Sequence, residues 1–447
     1  MRTRLLGGLA LLLACQGALP ASAVRLYEKG EDSLDLDGAF KSFFFGLHLP
    51  HHPPEVLALL GSTEKHGGFG LADARIKLEG AHQGRWKWEL HYRTQALASS
   101  FPDVRGTLWT GGFARPPRWL PLETTTPDGA NFEWVHEVDR LNLQVRLGPV
   151  HLIVGRQAVS FGVGFVWQPA DLVATFSPLE VDREFKPGVD ALRLNLALGA
   201  LTELALVFAA GGPTCTRGRL PDTSACRDPE PRFSLDHSVG VARLRTTVGR
   251  VDLGGLAGWV RGDVVAGAFA TAALGRFRLR SEAVLTHDPN VDLTYAGSGN
   301  PQGQSATFAR AVLGLDYQFH SKRPLFVLGE IYYNGFGSLR ASDYPALARR
   351  ARVTEFAEVQ NVGVLYLAAG LSFEPHHRLP LSLTLLANLF DPSMLVAASV
   401  TYKLADESVL EIGAYLPFGP APARDLTIRS EFGFYPNLYF AAWKLYF

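Results

Sequence analysis

Beyond residue 23 the chain has no apolar run approaching the roughly 18 to 20 residues that a membrane helix needs. The longest candidate, Leu201 to Ala210, is short and contains Glu203. Cysteine is scarce, with 3 in 447 residues, which argues against a disulfide-stapled scaffold. Charge of one sign is missing too: 43 Lys and Arg balance 43 Asp and Glu, so net charge points neither to nucleic acid nor to an anionic lipid surface. The chain also lacks a Gly-x-Ser-x-Gly elbow, a His-Glu-x-x-His pair, a phosphate loop and a Gly-x-Gly-x-x-Gly turn opening a helix, so nothing indicates an enzyme or a cofactor. Helical periodicity is nearly absent. Membrane residence would therefore require a closed barrel, since only helices and barrels satisfy every backbone polar group in lipid.

What is present begins with a leader. Met1-Arg-Thr-Arg4, the apolar run Leu5 to Ala14 and Ala21-Ser22-Ala23 have the charged, apolar and small-residue order of a secretion signal cleaved before Val24. Leu12-Leu13-Ala14-Cys15 also fits a lipid-attachment site, although the Ala-x-Ala site is in better position. Cleavage at Ala23 removes Arg2, Arg4 and Cys15. It leaves Cys215 and Cys226 on either side of a polar stretch, a pair expected to form one loop disulfide after export. A zinc site is the weaker reading, because two thiols with ten residues between them supply half a tetrahedron. His48, His51 and His52 sit in a proline-rich loop without carboxylate support, so no metal is expected there.

The strongest signal is alternation with period two, in segments of about 10 residues, the length of a tilted membrane-spanning strand. In Arg85–Arg93, Trp86, Trp88, Leu90 and Tyr92 share one face, and Arg85, Lys87, Glu89, His91 and Arg93 the other. The split recurs at 72–79, 139–147 and 276–285. Such segments lie near 33–47, 69–82, 85–96, 133–147, 149–157, 188–198, 202–210, 237–248, 250–260, 264–274, 277–287, 306–319, 324–335, 361–373, 380–389, 394–404, 408–417 and 437–447. Short turns, such as Gly148-Pro149, Gly249-Arg250 and Gly275-Arg276, alternate with mostly long loops. The expected fold is all-β: one transmembrane antiparallel barrel over 24–447 of about 18 strands, with 16 as the other count, in the bacterial outer membrane. The terminal segment Tyr439 to Phe447 alternates and ends on an aromatic, as does the closing strand read by barrel assembly machinery. That makes Phe447 the expected assembly signal.

The segment from Gly155 to Arg193 is distinctive: Gly155-Arg-Gln157, Phe161-Gly-Val-Gly164, Trp167-Gln-Pro169, Asp171, and Asp182-Arg-Glu-Phe-Lys-Pro-Gly-Val-Asp190-Ala-Leu-Arg193. Its strand end, long loop and strand start resemble those of alginate-export and related carbohydrate-porin-like families, closely over about forty residues and elsewhere only in architecture. The resemblance implies a loop over 158–187 that turns inward and narrows a channel. The constriction set is then Arg156, Asp171, Asp182, Arg183, Glu184, Lys186, Asp190 and Arg193, whose dense opposite charges would set a transverse field. A solvated outer loop is the alternative.

Inward positions of the strands are rich in bases: Arg75, Lys87, Arg93, Arg140, Arg146, Arg278, Arg280 and Arg310. Fixed cations on a wet wall favour anionic solutes; cross-strand ion pairs bracing a wide barrel are the competing account. The expected function is a channel for small hydrophilic solutes, anionic ones or carbohydrates among them, with outer-membrane lipid, the assembly machinery and those solutes as partners and no nucleic acid. The alternative is a non-conducting barrel with a structural, adhesive or embedded-enzyme role.

Overall fold

The computed structural model describes residues 24–59, 64–100, 116–129, 131–176, 180–212, 233–289, 307–319, 321–348, 350–354, 356 and 358–447. The leader with Cys15, and the pair Cys215 and Cys226, lie outside the described residues. In chain order the strands are β1 (Val24–Lys29), β2 (Asp32–His48), β3 (His66–His82), β4 (Trp86–Ser99), β5 (Glu123–Gly129), β6 (Phe132–Leu147), β7 (Val150–Gln157), β8 (Val189–Ala197), β9 (Thr202–Gly211) and β10 (Ser234–Val248). They continue with β11 (Val251–Val260), β12 (Asp263–Leu274), β13 (Phe277–His287), β14 (Thr307–Phe319), β15 (Leu325–Asn334), β16 (Leu365–His376), β17 (Leu379–Asn388), β18 (Ser393–Lys403), β19 (Ser408–Phe418) and β20 (Asn437–Tyr446). All pairings between these strands are antiparallel. The ring closes where β20 pairs with β2, from Ala39↔Tyr446 to His48↔Asn437.

Eighteen strands form the barrel, and each coincides with a segment anticipated from the alternation. The two extra strands were not anticipated. β1 folds back on the start of β2, and β5 pairs with the upper half of β6, where the short β7 no longer reaches. At one end of the barrel all connections are short. Four are two-residue hairpins whose first central residue must take positive φ, a role filled by Gly30, Gly148, Gly249 and Gly275 (φ +65°, +58°, +62° and +67°). At the other end lie the long loops, interrupted by two short links, Arg261-Gly262 and 389–392.

The outer surface exposes Ile76, Trp86, Trp88, Leu141, Leu143, Leu192, Leu285 and Ile412, while their strand neighbours Arg75, His91, Asn142 and Glu282 are buried. A barrel turned inside out in this way is stable only with lipid around it. In β6 the phase changes once. His91 pairs with Arg140 and Tyr92 with Val138, so Asp139 is the extra residue of a β-bulge. Asp139 and Arg140 are both buried on the inner side.

The inner face is less uniformly polar than the alternation suggested. Inward positions of β8 to β13 carry Ala191, Val207, Ala209, Val241, Leu256, Val265 and Val284, covered by Val159, Phe161, Leu172 and Val173 of the β7–β8 connection. A second inner patch, Val312, Tyr332, Tyr366, Leu386 and Leu395, is covered by Val166 and Trp167 of that connection and by Phe432. Each large apolar side chain buried this way stabilises the inward position of its loop by about 1.5–3 kcal/mol.

Candidate functional site: a charged constriction

The β7–β8 connection folds into the lumen. It leaves the wall at Gln157 and crosses to β13 and β15. There the Glu282 carboxylate accepts the backbone N–H groups of Val163 (2.5 Å) and Ala170 (3.1 Å). The Glu330 carboxylate accepts those of Phe165, Val166 (2.7 Å) and Trp167 (3.3 Å). The Trp167 indole donates to Asn361 (2.9 Å). Gly164 makes the turn tight enough for this, since a Cβ there would lie 2.0 Å from the Trp167 carbonyl oxygen. On its return the segment reaches the opposite wall, where Lys41 of β2 binds Asp182 (2.7 Å) and Glu184 (2.6 Å) and the Tyr446 hydroxyl donates to Glu184 (2.8 Å). The Phe185 ring lies beneath three cations, Lys41, Arg75 and Lys77, at 4.5 to 4.9 Å.

The eight constriction residues expected from sequence fall into four environments. Asp182, Arg183 and Glu184 sit together at the far wall; Arg183 has no ion pair among the described residues, and burial pushes its pKa below the ordinary guanidinium value, offset by Tyr415, Glu180 and Glu330. Asp171 and Lys186 are buried against each other in direct contact, closing the loop on itself. Burial raises the Asp171 pKa and lowers that of Lys186, each opposed by the partner's charge. Arg156 and Asp190 form a buried pair (2.8 Å) on the strand faces shared with the outward Val154 and Leu192. Arg156 also donates to the carbonyls of Val138 (3.0 Å) and Leu120 (2.6 Å). Asp190 accepts the N–H groups of Trp119 (3.0 Å) and Leu120 (2.8 Å). This pair braces the place where β7 ends and residues 116–129 take over. Arg193 faces the lumen, with Asn195 as its hydrogen-bond partner (3.0 Å).

The wall bases divide by side. On β2 to β6 they are paired: Arg75 with Asp139 (2.5 Å), Lys87 with Glu79 (2.9 Å) and Glu89 (3.2 Å), Arg93 with Asp73 and Glu137 (3.0 Å), and Arg140 with Asp139 (3.0 Å). Arg118, which sequence reasoning did not single out, joins Glu137 (2.8 Å) and Asp139 (3.3 Å). Arg146, at the short-turn end of β6, is the exception and makes no ion pair among the described residues. From β8 to β14 the cations outnumber their partners. Arg280 holds Asp316 (2.9 Å) and Arg310 holds Glu358 (2.6 Å), whereas Arg193, Arg243 and Arg278 form no ion pair among the described residues, and Arg243 lies over the Phe269 ring at 4.2 Å. His52 is taken up in packing, its ring Nε2 donating to the Phe434 carbonyl (2.9 Å).

No protein-family model matches the chain, and no curated protein matches it by sequence. Solved structures do. OccAB1 of Acinetobacter baumannii superposes with a TM-score of 0.53 at 8% identity, over 93% of this chain and 96% of that one. A BenF-like porin from Pseudomonas fluorescens Pf-5 superposes with 0.53 at 9% identity, over 93% and 98%. Pseudomonas aeruginosa OpdK, solved with vanillate, gives 0.52 at 8% identity, over 93% and 98%. The fold is that of the outer-membrane porins.

Proposed function

We propose that this protein is an outer-membrane channel for small hydrophilic solutes, with anions favoured over cations. One observation carries the reading: the β7–β8 connection crosses the lumen of an 18-stranded barrel and is fastened to both walls, which is how a wide barrel is narrowed to a selective passage. An 18-stranded barrel is wider than wall side chains alone fill. The preference for anions rests on Arg193, Arg243 and Arg278, which form no ion pair among the described residues, and on Arg183 at the loop tip. An excess of fixed cations in a confined aqueous path raises the local anion concentration. The porins of similar fold, one of them solved with the aromatic anion vanillate, are consistent with such solutes. No catalytic role is proposed. Residues 24–447 refolded into planar bilayers should give discrete conductance steps, with reversal potentials of anion-preferring sign under a salt gradient. A folded barrel that never conducts would favour the structural alternative.

A further inference from the structure

The crossing segment is fastened to β13 and β15 in an unusual way. Most of the inner wall offers it apolar contact or cations, yet its turn between Phe161 and Leu172 is met by two carboxylates, Glu282 and Glu330. Both are buried, and neither forms an ion pair among the described residues. Between them they accept five backbone N–H groups, from Val163, Ala170, Phe165, Val166 and Trp167. A buried carboxylate without a cation is costly unless its lone pairs are filled by donors, so the two acids and the turn stabilise one arrangement together. Gly164 bends the chain so that three successive N–H groups converge on Glu330. The Gln168 side chain closes the turn by donating to the Gly164 carbonyl (3.0 Å), and Arg280 donates to the Val163 carbonyl (3.3 Å).

We propose that Glu282 and Glu330 are the positioning residues of the constriction: they hold the crossing loop by its backbone, and so fix the calibre and selectivity of the passage independently of the loop's own side chains. The inference rests on the channel reading for its functional meaning, but the anchoring can be tested without conduction. An amide at either position has nearly the same shape and presents an N–H₂ group where an acceptor is needed. Each Glu→Gln change should lower the ratio of anchored to released loop by about tenfold, the effect of losing one buried acceptor and stranding a donor.

The test uses the full barrel, refolded, as wild type, E282Q, E330Q and the double variant, each checked for heat-modifiable migration. Amide hydrogen exchange in a peptide spanning 161–172 reads the anchoring. Conductance and reversal potential read its consequence. The expected result is exchange faster by about tenfold in each single variant and more in the double, with larger, noisier conductance and weaker ion selectivity. The same substitutions should add nothing once 158–187 is replaced by a short linker. Folded variants with unchanged exchange would overturn the proposal, as would an equal conductance change in the linker background. If a glutamine variant fails to fold, E282D and E330D keep the charge but shorten the reach; faster exchange is again expected, and unchanged exchange overturns the proposal. A wild-type barrel that folds and does not conduct would sink the channel reading, while exchange would still decide the anchoring.

Discussion

Replacing Lys186 by methionine removes one charge of the buried pair that closes the crossing loop and keeps most of the side-chain volume. In the wild type Lys186 Nζ contacts Asp171, whose other neighbour is the Ser160 hydroxyl (3.3 Å). Asp171 Oδ1 has no hydrogen-bond partner among the described residues. Without the lysine a carboxylate stays buried with no cation, a defect of about 3–5 kcal/mol. At about 1.4 kcal/mol per factor of ten, this corresponds to a loop-opening equilibrium raised by roughly two to three and a half orders of magnitude. The barrel wall does not pass through this pair, so the loss should be local. Hydrogen exchange in peptides spanning 171–186 should accelerate by that factor while the β2 and β20 peptides stay protected. Adding Asp171→Asn removes the stranded charge, and the double variant should recover most of the protection. Acceleration below about tenfold in Lys186→Met, or a double variant as loose as the single one, would refute the reasoning.

Arg183→Glu should move the reversal potential toward cations without loosening the loop, since Arg183 has no ion pair to break; an unchanged potential would place it off the conduction path. Phe447→Asp should lower outer-membrane assembly in cells and leave refolding in vitro largely intact, because the Phe447 backbone already bonds both ways with Gly38 (2.6 and 3.0 Å). Normal cellular assembly would count against a recognition role. Glu358 should make the docking of the 335–364 loop acid-labile. Burial pushes its pKa up, but Arg310, Arg352 and Arg261 outweigh burial and hold it below the ordinary carboxylate value. A carboxylate depressed in the folded state adds stability above its unfolded pKa, and that stability is lost as pH falls through the folded value. Proteolysis of this loop should therefore rise only below the usual carboxylate range and be insensitive to pH in Glu358→Gln.

The barrel was legible because a strand with lipid on one side and a wet lumen on the other must alternate, and the side-chain period of two survives even where strand ends are uncertain. Exceptions to alternation were harder to read. The bulge at Asp139 shows in sequence only as a change of phase, from Phe132 and Trp134 to Leu141 and Leu143. β5 is a threonine-rich segment in a long loop and carries no amphipathic signal. The charged residues of the crossing loop were visible, but not which of them meet. Lys186 resembles a pore-lining cation in sequence and is closed off by Asp171. Arg156 and Asp190, 34 residues apart, are brought together by the β7–β8 register. The anchors at Glu282 and Glu330 left no trace in the loop sequence, because their partners are backbone N–H groups, which nearly every residue possesses.

Single-channel recording of refolded 24–447, beside a variant in which 158–187 is replaced by a short linker, asks whether the barrel encloses a conducting path narrowed by its own loop. Discrete, anion-preferring steps are expected for the wild type and larger, less selective steps for the linker variant. Equal conductance and selectivity in the two proteins, or folded protein that conducts in neither form, would contradict a loop-narrowed channel.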